Sequence, residues 1–175
     1  MKHKGFRHAC VRIVSMATKR TPAHEFYGAH VVPALAAWRS APTDLRLANV
    51  AAVALYHVAD YYWNSHWPDA ADRVFGCASA GRFRARLAEE SKEYALLRDV
   101  AEAHKHMKLD RTSRSVTDAS QTEIRATASG ETPYGEGPYG GTPSVVIELD
   151  DGSKRHLSAI VDAVVELWSS RLPLA

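Results

Sequence analysis

Residues Leu87 to Asp110, LAEESKEYALLRDVAEAHKHMKLD, decide how this chain reads. At about 100° per residue, Tyr94, Leu97, Val100, Ala101 and His104 share one apolar face, with Arg98 and Lys105 on its border. That spacing predicts an amphipathic helix laid against a core. Ser91 is placed to cap or begin the helix, and Glu89, Glu90 and Glu93 gather at its start, where the backbone dipole favours negative charge. His104, Lys105, His106 and Lys108 gather at the other end, where cations are favoured. Asp99 and His106 are expected on the opposite face, two turns apart.

On the N-terminal side, Thr21-Pro22 signals a helix start, and Phe26, Tyr27, Val31, Leu35 and Trp38 carry the apolar positions of a helix over 22–38. Pro33 falls inside it and is expected to kink or restart it. Thr43 or Asp44 then caps a long alanine-rich helix over 45–66, whose small residues Ala48, Ala51, Ala52 and Ala59 allow close helix contact. Its other side carries a polar stripe, Arg46, Asn49, His57, Asp60 and Asn64, at spacings of three and four with one gap of two turns, which put them on one face. Two short helices are expected over 69–78 and 79–88, the second containing Arg82, Arg84 and Arg86.

On the C-terminal side the character changes. Residues 111–121 are polar and turn-rich. TEIRATAS (122–129) alternates like a strand, SVVIEL (144–149) is β-branched, Asp151-Gly152 is a hairpin turn, and 154–157 can return as a third strand. Between the first two strands, PYGEG and PYGGT repeat a loop-forming unit within 130–143, with Tyr134 and Tyr139 as candidate anchors for a partner. Ser158 is expected to cap a last helix bearing Ile160, Val161, Val164, Leu167 and Trp168. The fold class is therefore mainly α: a helical bundle with a small antiparallel β-meander over 122–157 inserted before the C-terminal helix. Residues 1–15 read as a flexible tail, since Met16 opens a second plausible start, and 16–175 read as one domain.

Composition narrows the function. The chain has 175 residues, 46% hydrophobic, which suffices for a full core. A net charge of +2 is no polybasic signature, so bulk charge does not argue for nucleic acid. Cys10 and Cys77 make no disulfide framework and read as reduced thiols of a cytoplasmic protein. No run is long and apolar enough for a membrane span. Nine histidines are many for this length, but no His-Glu-x-x-His, Glu-x-x-His or Cys-x-x-Cys pattern accompanies them, so neither a metal nor another cofactor is expected.

Two groups of side chains carry candidate chemistry. In the first, RDVAEAH (98–104) resembles the Arg-x(4–6)-His motif of HEPN domains, small helical bundles found in bacterial toxins and defence ribonucleases. The resemblance implies a metal-independent endoribonuclease acting near a dimer interface. Arg98 would hold the scissile phosphate with its fork of donors, Asp99 would stand as the polar residue after the arginine, and His104 would move the proton. Six residues put Arg98 and His104 about 120° apart on an ideal helix. In the bland alternative, His104 is a core histidine and Arg98 a rim ion-pair residue. In the second group, His57, Asp60 and Asn64 are expected to meet Asp99, Lys105 and His106 from the neighbouring helix, a carboxylate orienting an imidazole. Here the alternative is a solvated helix face. The candidate partners are RNA, a second copy of the chain or another protein. The non-enzymatic reading is a small helical protein that assembles through the Gly-Tyr loop and sheet edge.

Overall fold

A computed structural model of the chain describes residues 20–66, 76–110, 114–126, 131–136 and 142–172. The expected N-terminal tail, most of the short helix expected over 69–78, and Tyr139 lie outside the described residues. In order, the elements are α1 (Pro22–Phe26), a π-helical turn (Tyr27–Val31), α2 (Val32–Ser40), α3 (Leu45–Asn64), α4 (Ala80–Glu90), α5 (Lys92–His106), a 3-10 turn (Ala119–Gln121), β1 (Thr122–Arg125), β2 (Ser144–Glu148), β3 (Lys154–His156) and α6 (Leu157–Arg171).

The π-turn is how the first helix passes Pro33. A proline ring collides with the carbonyl four residues back and offers no N–H. Widening the preceding turn, so that the Val32 N–H reaches the Tyr27 carbonyl, lets the chain go on into α2 without breaking. Asp44 caps α3 by accepting from the Leu47 N–H at 3.0 Å. Ser91 adopts an extended backbone, ends α4 and caps α5 by accepting from the Tyr94 N–H at 3.1 Å, so the two helices are separate. Ser158 is not a cap: His156 holds that position and Ser158 lies within α6.

α3 is central and packs on α1, α2, α4, α5 and α6; α5 packs in turn on α4 and α6. Leu55, Tyr94, Leu97, Ile160, Val164 and Trp168 are fully buried where they meet. Each such side chain contributes roughly 1.5–3 kcal/mol of burial. The three strands are antiparallel in the order β1-β2-β3, with Thr122 opposite Ile147 and Val146 opposite His156. Gly152 makes the β2–β3 turn at φ +82°, where a Cβ would be strained. Val145 and Ile147 of β2 belong to the same core as the helices, so the sheet is an extension of the bundle. His156 is buried beside it, its Nδ1 2.8 Å from the Ser144 hydroxyl, and burial holds its imidazole below the ordinary value against the pull of Glu136. Among the described residues no helix is long and apolar enough to cross a membrane.

Candidate functional site: a histidine-lined groove between α3 and α5

The C-terminal end of α5 lies against the middle of α3, with α4 beside both. Between them opens a groove of about 820 Å³. Val53, Tyr56 and His57 of α3 and Arg84 of α4 form one side. Ala101, Glu102, His104, Lys105 and His106 of α5 form the other, and Lys108, Leu109 and Asp110 close the end. His104, Lys105, His106 and Lys108 are all exposed. The first three lie in the last turn of α5, and Lys108 follows where the chain reverses. Met107 has φ +62°, and the Lys108 N–H bonds the His106 carbonyl two residues back at 2.8 Å. That is a γ-turn of the strained hand, rare for any residue with a Cβ. It reverses the chain at once, and the Leu109 N–H then pairs with the Thr117 carbonyl.

The wall behind the groove is a continuous polar chain. The Asp60 carboxylate meets His57 Nδ1 at 3.1 Å and accepts from the Arg84 guanidinium. Burial alone would raise the Asp60 carboxyl, but the His57 hydrogen bond and the Arg84 charge outweigh it and hold it below its ordinary value. Arg84 also sits 5.8 Å over the Tyr56 ring. The Tyr56 hydroxyl donates to Glu102 at 2.8 Å; burial first, then that bond, push it far above the usual phenol range. Arg114 donates to Glu102 at 2.6 Å and to Asp99 at 2.5 Å. Asp99 also accepts from Arg98 at 3.0 Å and from the Ser115 N–H at 2.9 Å. Burial raises the Asp99 carboxyl, and the Ser115 N–H and Arg98 oppose it. Removing one partner of so buried a cluster leaves a charge unmatched, which is strongly destabilising.

The residues singled out in the sequence are thus divided. His57, Lys105 and His106 come together in the groove, and Asp60 orients His57 from behind. Asn64 is exposed and lines no part of the groove. Asp99 does not face solvent opposite the core: residues 114–118 cover that side of α5, leaving it 2% exposed and one side chain removed from the groove. Arg98 turns to Asp99, while His104 opens into the groove, so the two have different surroundings within one chain. His104 is not a core histidine. Tyr134 is 98% exposed, on a short segment held to the sheet by Glu131 to Lys154 and Glu136 to Arg155.

Sequence reasoning missed Arg84, Tyr56, Glu102 and Arg114. Arg84 lies 24 residues from its partner Asp60 and on another helix, in a run of three arginines that look alike. Arg114 sits in a polar loop with no periodicity to single it out. Among the described residues no group of three or more His, Cys, Asp or Glu side chains is placed to hold a metal ion. No known protein family, curated protein or solved structure is matched by the chain.

Proposed function

We propose that the groove binds RNA and that the protein cleaves it without a metal ion. The observation that carries this is the convergence of His57 and His104 with Lys105 and Lys108 in one open groove. Arg84 and Glu102 also line it but are committed to Asp60 and to Arg114. Lys105 and Lys108 then supply the positive charge of the groove, against Asp110 at its end and Asp118 near Lys108, and the lysine-lined part suits a phosphodiester. The HEPN resemblance points to the same reaction class, with His104 in the proton-transfer role.

In this reading the lysines hold the phosphate. His104 takes the proton of the 2′-hydroxyl as its oxygen bonds to phosphorus, and His57, oriented by Asp60, gives a proton to the departing 5′ oxygen. The products are a 2′,3′-cyclic phosphate and a 5′-hydroxyl. Arg98, given the phosphate by the resemblance, here holds Asp99. Purified protein incubated with single-stranded RNA should leave those ends, with or without EDTA. His104→Ala should lower cleavage at least 100-fold, the usual reach of one general acid or base, and Lys105→Glu should weaken binding. Cleavage that survives His104→Ala, or no cleavage of any RNA tested, overturns the proposal.

A second reading, attachment to a protein partner, is favoured by Tyr134: an aromatic ring 98% exposed on a segment pinned by ion pairs to Arg125, Lys154 and Arg155 is a preformed anchor.

A further inference from the structure

Beside the groove, and sharing Val53, His57 and His104 with it, lies a second cavity of about 390 Å³. Its remaining wall is Phe26, His30, Asn49, Val50 and Ala54. Two features set it apart from an ordinary surface hollow. The first is Asn49, only 8% exposed, whose Oδ1 is sealed from solvent and has no hydrogen-bond partner. A buried carbonyl oxygen without a donor costs free energy, and native proteins seldom keep one without a use. The second is the flat aromatic border. Phe26 stacks on Tyr61 with ring centroids 3.9 Å apart and planes within 11°, and the His30 ring lies 5.0 Å from Phe26. Val50, Val53 and Ala54 make the aliphatic part of the wall, and His57 and His104 stand on the side shared with the groove. A ligand that fits is flat, apolar on its faces and carries an N–H on its edge. It must also reach the cation-lined groove next door.

We infer that this cavity receives one unpaired nucleobase of the RNA whose phosphate occupies the groove, its edge N–H donating to the Asn49 amide oxygen once that side chain turns into the cavity. The inference rests on the groove being an RNA site. It names what the groove alone does not: a single-stranded substrate with a base turned out of the stack. Proteins that recognise single-stranded RNA splay bases onto aromatic side chains and read their edges in this way. A duplex is excluded because its base edges are already paired. Asn49 acts by binding and not by moving a proton.

The test compares three decamer probes on the full chain: single-stranded oligoadenylate, an abasic strand of equal phosphate count, and the oligoadenylate paired with oligouridylate, which carries twice the phosphates. Fluorescence anisotropy should show the single strand binding at least tenfold more tightly than either of the others. Asn49→Leu, close in volume and free of the orphan acceptor, should fold at least as well as wild type. It should lose most of that margin while binding the abasic strand unchanged. Lys105→Glu should weaken all three strands alike. Adenosine, which has no phosphate, should shift the Asn49 side-chain amide resonances in wild-type protein. If abasic and base-bearing strands bind equally, or if the margin survives Asn49→Leu, the base pocket is overturned and the groove reading stands. If no strand binds, the groove reading falls, and the pocket as an RNA subsite falls with it.

Discussion

Met107 shows most plainly what a single residue contributes. Its positive φ is unfavourable for any residue with a Cβ, and strain of this kind costs on the order of 1–3 kcal/mol. The side chain is 76% exposed, so its own contacts return little. Glycine would relieve the strain at an unfolded-state cost of roughly 0.5–1 kcal/mol. Met107→Gly is therefore expected to be more stable than Met107→Ala by about 1 kcal/mol in urea melts. A glycine variant less stable than the alanine variant would show that the turn is not strained. Nothing in the sequence marks this turn, because a helix end normally announces a left-handed residue with Gly or Asn. His104 was misplaced for a related reason. An ideal apolar stripe continues through it, but α5 has passed the edge of the core by then, and periodicity does not say where a neighbouring helix stops.

At the scale of elements, α3 and α4 are tied by one carboxylate. Asp60 is held below its ordinary value in the folded protein by His57 and Arg84, against its own burial. The unfolded chain, with an aspartate near 3.9, binds the proton more readily, so Asp60 contributes its full stability above about pH 4 and loses it as the pH falls through the lower folded value. Asp60→Asn keeps the shape but not the charge. It should cost on the order of 1 kcal/mol at pH 7, and the gap to wild type should narrow between about pH 5 and pH 2. A gap that stays constant over that range in denaturant titrations would show that Asp60 acts only through its shape. The elements themselves were largely legible. Asp44 and Ser91 cap as their types suggest, and SVVIEL and Asp-Gly make a hairpin. Pro33 does interrupt the first helix, as a widened turn and not as a break. What the elements hold in common was not legible. Arg84 with Asp60, and Arg114 with both Asp99 and Glu102, are long-range pairings, and no local spacing encodes them.

At the scale of the whole molecule, the question is whether one chain or two make the site. The HEPN resemblance implies a seam where Arg and His of two chains meet. Within one chain, Arg98 serves Asp99 and lies outside the groove that holds His104, whereas His57, His104, Lys105 and Lys108 already share that groove. If cleavage needs only these last four, each chain is complete. Variants damaged at different groove residues then cannot rescue one another. His104→Ala lacks the proton acceptor and Lys105→Glu lacks part of the phosphate site. Both residues are exposed, so both variants should fold. Mixed in equal amounts, unfolded together and refolded, they should give no more cleavage than the sum of the two alone. A site shared across a symmetric dimer predicts otherwise. Half of the refolded dimers would pair one variant with the other, and half of the composite sites in these would be intact, restoring about a quarter of wild-type activity. Recovery on that scale would move the active centre from the groove to a seam between two copies.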